Sequence, residues 1–318
     1  MVNPVLFPEP PSASPIKQGP PNLHWVVEQL CHSNSDFLRG PRKVLGRRAL
    51  PSKEALHGIV QDIRAAMFPW HFGGSDVSPK GLSYYVGHTL ESALTALEKQ
   101  VRIGMLLDCT HHHDRCEACE MRAAELVQNF AERLPEIRRM LGSDACAALS
   151  GDPAATSLDE VVFCYPGMTA MVHHRIAHEL HALGAQLIGR IISQLAHSET
   201  GIDIHPAASI GPSFFVDHGT GVVIGETCVI GARVRVYQGV TLGARSFPKN
   251  EKGELIKGAK RHPCVEDDVV IYAGATVLGP ITLRRGAVVG GNVWLTRDVP
   301  ADSKVAQAQA PDVRVTSA

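Results

Sequence analysis

Every sixth residue from Ile204 carries a small or branched apolar side chain: Ile204, Ile210, Val216, Val222, Cys228, Val234 and Val240. After an interruption the row resumes as Val265, Ile271, Val277, Leu283, Val289 and Leu295, with Gly, Ala and Asn at many positions between. A helix repeats every ~3.6 residues and a half-buried strand every second one, so neither produces a period of six. A hexad rich in Gly and β-branched residues is the pattern of a parallel β-helix, in which each hexad forms one flat side and three make a turn of about eighteen residues. Residues 201–300 are therefore expected to form a prism with a narrow aliphatic core. A polar insertion, residues 243–262, interrupts the row and carries Arg245, Lys249, Lys252, Lys257 and Lys260. Such an excursion stands on one face of a solenoid and often belongs to its binding site; a merely solvated loop is the simpler alternative.

The chain before the repeat reads differently. Seven prolines fall within the first 21 residues, so residues 1–21 are expected to be an arm outside any helix or sheet. From Asn22 the pattern changes to helical spacing. Trp25, Val26, Leu30 and Phe37 share one face, Ser52 caps a helix over Lys53–Met67, and a long helix is expected over Gly81–Leu107. Others are expected over Asp114–Leu141, with Pro135 inside, over Gly167–Leu183 and over Gln186–His197. The class is α+β: a helical domain (22–200), the repeat domain (201–300) and a short tail (301–318).

A formal net charge of −1 argues against nucleic acid or an anionic membrane as partner. The most apolar helical stretch, Leu180 to Leu195, is broken by Arg190 and is too short to span a bilayer. With no N-terminal signal pattern, a cytoplasmic location is expected. The eight scattered cysteines read as reduced thiols.

Four groups of residues carry chemistry. Asp203 and His218 are fifteen positions apart, a little less than one coil, so they are expected to meet near one corner, with Asp217 beside the histidine. A carboxylate that fixes one imidazole nitrogen leaves the other free as a general base, as activation of an alcohol requires; a histidine capping a turn is the alternative. Arg261-His262-Pro263 closes the insertion, and the planar fork of Arg grips a carboxylate with two hydrogen bonds. Cys109, His111–His113, Cys116 and Cys119 are dense in zinc-ligand types; buried thiols beside a histidine tract are the other reading. Asp152-Pro153-Ala154, ahead of Tyr165-Pro166-Gly167, reads by itself as a turn.

In this order the groups resemble serine O-acetyltransferase, a hexapeptide-repeat enzyme of cysteine biosynthesis. The carriers are Asp152-Pro-Ala, Arg175-Ile-Ala-His178, Gly201-Ile-Asp-Ile-His-Pro-Ala-Ala, Asp217-His218-Gly-Thr-Gly-Val-Val-Ile-Gly-Glu226-Thr, Gln238-Gly-Val-Thr-Leu-Gly243 and Lys260-Arg-His-Pro263, spread from Asp152 to Val299. The resemblance implies a left-handed parallel β-helix and trimers with sites between subunits, often paired through the helical domains. It implies that acetyl-CoA donates an acetyl group directly to the hydroxyl of L-serine, without a metal. In that scheme His218 is the general base and Asp203 its orienting partner. Asp152 and Asp217 hold the serine ammonium, Arg261 and His262 hold its carboxylate, and Ala244, Gly274 and Ala275 lie in the coils that match the coenzyme site. Many members end in an isoleucine tail that enters the next enzyme, O-acetylserine sulfhydrylase. This chain ends Thr316-Ser317-Ala318, which argues against that complex. Other readings at this stage are an acyltransferase for another alcohol (homoserine, a sugar or a xenobiotic), a zinc lyase using histidines such as His205, His218 and His262, and a trimeric scaffold without activity.

Overall fold

Ser52 ends an extended segment, and its hydroxyl accepts the N–H of Ala55 at 3.1 Å, so the first helix starts where the sequence places its cap. The computed structural model describes residues 23–28, 30, 49–74, 77–109, 116–247 and 249–307. The proline-rich arm, Phe37, His111–His113, Asp114 and the tail beyond 307 lie outside the described residues. Residues 23–28 are helical. Seven further helices follow: α1 (Lys53–Met67), α2 (Pro69–Phe72), α3 (Leu82–Asp108), α4 (Glu117–Gly151), α5 (Leu158–Cys164), α6 (Pro166–Ala182) and α7 (Gln186–Thr200). Helix α4 continues past Leu141, the end expected from the sequence, to Gly151. Its inner face continues through Asp144, Ala145 and Ala148, all buried, and that burial outweighs the weak propensity of Gly142-Ser143. Gly201, in the left-handed conformation with φ 70°, ends α7 and delivers the chain to the repeat.

Fourteen short strands then wind through five coils: β1 (Asp203–Ile204), β2 (Ser209–Ile210), β3 (Phe215–Asp217), β4 (Val223–Ile224), β5 (Val229–Ile230), β6 (Arg235–Tyr237), β7 (Thr241–Gly243), β8 (Cys264–Val265), β9 (Val270–Ile271), β10 (Thr276–Leu278), β11 (Thr282–Leu283), β12 (Val288–Val289), β13 (Trp294–Leu295) and β14 (Lys304–Val305). They form three parallel sheets. The first is β1-β4-β7-β10-β13, the second β2-β5-β8-β11, and the third β3-β6-β9-β12-β14. The solenoid runs a strand beyond Pro300, since Val305 pairs with Val289.

The sixth-residue row slips once. Ile204, Ile210 and Val216 are strand centres, but the centres that follow are Ile224, Ile230, Val236 and Leu242. Val222, Cys228, Val234 and Val240 are buried two residues ahead of those centres, the class to which Ile202, Ala208 and Phe214 belong in the first coil. Each hexad buries both positions, so a count by sixes passes from one class to the other without meeting a polar residue.

The helices and the prism share one core, because α4 and α6 both pack on β3. At that junction Arg175 of α6 donates from Nε and Nη2 to the two carboxylate oxygens of Asp144 at 2.7 and 2.8 Å, both side chains being buried. Arg175 also donates to the carbonyls of Ile210 and Gly211, while Asp144 accepts the N–H of Phe214. The first coil is thereby fastened to two helices.

Candidate active site

Ile204 pairs with Ile224 twenty residues on, whereas Ile224 pairs with Leu242 eighteen on. The two additional residues fall in the corner Asp217–Gly221, where the chain passes from the third sheet to the first. His218 takes φ 57° and Gly219 φ 84° there. A Cβ on Gly219 would stand 2.5 Å from the Ile202 side chain, so only glycine closes this corner. The bulge lifts the His218 side chain to 73% exposure and leaves Asp217 beneath it at 10%.

Asp217 Oδ1 lies 3.7 Å from His218 Nε2, and Oδ2 accepts from Arg235 Nη2 at 2.7 Å. Arg235 also donates to the Gly151 carbonyl at 2.5 Å and lies over the rings of Phe215 and Tyr237. It thus ties the end of α4 to the bulge. The next residue, Asp152, accepts from Tyr165 Oη at 2.6 Å and from the Ala154 N–H at 2.8 Å. The Tyr165 hydroxyl, then that N–H, hold the Asp152 carboxyl below the usual aspartate range, with smaller help from the charges of Arg235 and His218. Tyr165 itself is pushed up to about 12 by donating to Asp152. The folded state therefore gains from ionised Asp152 above the ordinary aspartate range, and loses that gain as pH falls through the depressed value. Tyr165→Phe is expected to return the Asp152 pKa upward, read by carboxyl-carbon NMR against pH; an unmoved titration would remove Tyr165 as its cause.

Asp203 begins β1 at this same corner, its N–H bonded to the Val222 carbonyl at 2.8 Å. The structure does not pair it with His218: the carboxylate within ion-pair distance of the ring is that of Asp217. Arg235 was not singled out from the sequence. A lone arginine on a strand carries no motif, and its partners lie 18 and 84 residues away.

A second cluster occupies the next corner, between the first and second sheets. Arg261 Nη2 donates to the Glu226 carboxylate, and their attraction lowers the Glu226 pKa. His262 rests on Gly225, whose Cβ, if present, would lie 2.1 Å from the ring. Its Nδ1 meets the Thr227 N–H at 3.1 Å and the Thr227 hydroxyl at 2.9 Å. An amide N–H can only donate, so Nδ1 accepts and the ring proton sits on Nε2. Burial, then Arg261, push the His262 pKa down, which keeps the ring a neutral donor. His205, on the same side, is pushed down to about 4 by burial and then Arg190. His205, His218 and His262 are not gathered into a metal site. Among the described residues the groups close enough to hold an ion are Cys109, Cys116 and Cys119, and His57, His173 and Glu199.

The three positions expected along the coenzyme divide. Ala244 follows β7 at the root of the insertion, and Gly274 sits in the opposite corner, donating to the Gln238 carbonyl. Ala275 is buried, with its N–H bonded to Tyr272 and its carbonyl to Thr241. The insertion itself folds back at an antiparallel bridge, Lys249 to Leu255.

Residues 221–247 and 264–297, on either side of the insertion, match the family described as hexapeptide repeat of succinyl-transferase. Over 292 residues the chain is 53% identical to the plasmid serine acetyltransferase of Synechococcus elongatus, covering 90% of this chain and 91% of that one. The chain belongs to the serine acetyltransferase family. Serine acetyltransferase of Bacillus licheniformis is 50% identical over 167 residues, 52% of this chain and 73% of its own. Among solved structures, Entamoeba histolytica serine acetyltransferase 1 in complex with L-cysteine superposes with a TM-score of 0.68 at 36% identity, over 90% of this chain and 98% of that one. Neisseria gonorrhoeae serine acetyltransferase in complex with serine gives 0.52 at 26% identity, over 81% and 97%.

Proposed function

We propose that the chain transfers the acetyl group of acetyl-CoA to the hydroxyl of L-serine, giving O-acetyl-L-serine and CoA for cysteine biosynthesis in the cytoplasm. The observation that carries this reading is the identity to a serine acetyltransferase across both helical and prism regions, combined with a bulged His218 above Asp217 and beside Asp152. Acetyl-CoA supplies the thioester. His218 takes the proton from the serine hydroxyl as oxygen bonds to the acyl carbon. As the carbon–sulfur bond breaks, the same ring returns the proton to the departing sulfur. Asp217 or Asp203, both at this corner, orients the imidazole. Asp152, kept ionised by Tyr165, and Asp217 suit the serine ammonium.

Arg261 and His262 suit the carboxylate, one through its fork and the other through its Nε2 proton. In one chain they stand a full face away from His218, the first sheet lying between. Six residues of strand and corner span up to about 20 Å, far more than the length of serine. This separation supports sites completed by the Arg261-His262 corner of a second copy, as in a homotrimer or a dimer of trimers. Arg261→Ala is expected to raise the serine KM with little change in that for acetyl-CoA; an unchanged serine KM would remove Arg261 from the clamp.

The reading is tested by thiol release from acetyl-CoA with L-serine, set beside homoserine and sugar acceptors. Release with serine far above the rest is the expected result, and release without preference for serine would sink the proposal.

A further inference from the structure

Three thiols outside the acetyl-transfer corners converge where α3 ends and α4 begins. Cys109 follows the last residue of α3, Cys116 precedes α4, and Cys119 lies one turn further on. Their sulfurs lie within 4.8 Å of one another, and those of Cys109 and Cys116 are 3.7 Å apart. Zinc–sulfur bonds of about 2.3 Å in tetrahedral geometry set neighbouring sulfurs about 3.8 Å apart. A disulfide needs about 2.05 Å. The thiols line a cavity of about 380 Å³ that is walled by Val101, Met105 and Ile188 and also bordered by Arg122.

We infer that Cys109, Cys116 and Cys119 bind a zinc ion that clasps the end of α3 to the start of α4. Three thiolates on a dication leave one negative charge, and two features at the site oppose it. The N-terminus of the 35-residue helix α4 turns the amides of Cys119 and Ala118 to the Cys116 sulfur, and Arg122 borders the same cavity. The fourth tetrahedral position is left to water or another donor. A cysteine ligates zinc as its thiolate, so each thiol must give up its proton to bind. Metal binding therefore releases protons and weakens as pH falls. The ion serves the fold and takes no part in acetyl transfer.

The test is a titration of the reduced full-length protein with Co²⁺. The expected result is sulfur-to-cobalt charge-transfer absorption with tetrahedral d–d bands, saturating at one ion per chain, reversed by Zn²⁺ and weakened by acid. The double variant Cys116→Ser, Cys119→Ser loses these bands and keeps thiol release with acetyl-CoA and serine. His57→Ala keeps the bands, which separates this site from the His57, His173 and Glu199 group. Absence of charge-transfer absorption in the reduced wild-type chain overturns the inference without reliance on any variant. So does its persistence in the double variant, or a Cys109–Cys116 disulfide in protein isolated from a reducing cell.

Discussion

His218→Ala lowers kcat by about 10²–10⁴-fold, the range for a lost general base, and leaves the fold intact. The reason is local. Serine attacks a thioester only after its hydroxyl proton is moved, and His218 is the titratable ring raised out of the bulged corner, above Asp217 and near Asp152. Its side chain is 73% exposed in the chain, so its removal opens no core cavity and the melting temperature stays unchanged. Steady-state thiol release together with circular dichroism checks both halves, and near-normal turnover in a folded variant would end the assignment. The companion variants Asp203→Asn and Asp217→Asn decide which carboxylate orients the ring. The one that does lowers kcat and shifts the acid limb of the rate profile, where the base becomes protonated, whereas a carboxylate that only binds the serine ammonium raises KM.

The parts of this molecule that repeat were legible, and the parts that depart from repetition were legible only as residues without places. Hexads require aliphatic side chains at fixed intervals, so the prism, its three faces and the insertion follow from the pattern. The extra pair of residues at Asp217–Gly221 did not, because Val222 is as apolar as the strand centre Ile224 two residues on. Yet that pair is what lifts His218 outward. The spacing of Asp203 and His218 suggests a pair, but the carboxylate within ion-pair distance of the ring is that of Asp217. Arg235 and Asp144 could not be read from spacing, since each acts through partners on other elements: Asp217 and the Gly151 carbonyl for one, Arg175 and the Phe214 N–H for the other. The zinc-type spacing of Cys116 and Cys119 was visible, while the approach of Cys109 depends on how α3 meets α4.

Asp144→Ala destabilises the protein by about 3–5 kcal/mol, the cost of removing one partner from a buried ion pair. Arg175 is only 7% exposed and Asp144 1%, so the orphaned guanidinium cannot turn to water without opening the joint between α4, α6 and the first coil. Its remaining partners, the carbonyls of Ile210 and Gly211, carry no full charge to balance it. The Phe214 N–H loses its acceptor as well, which adds about 1–3 kcal/mol if no water replaces it. Urea unfolding followed by fluorescence reads the loss, and a change under 1 kcal/mol would show that the pair is not holding the joint. Asp144→Leu with Arg175→Met is the decisive companion. With both charges removed the desolvation penalty disappears, so the double variant is expected to be more stable than Asp144→Ala alone. Should the double variant instead be the weaker, the carbonyl bonds of Arg175 rather than its charge pairing fasten the prism to the helices.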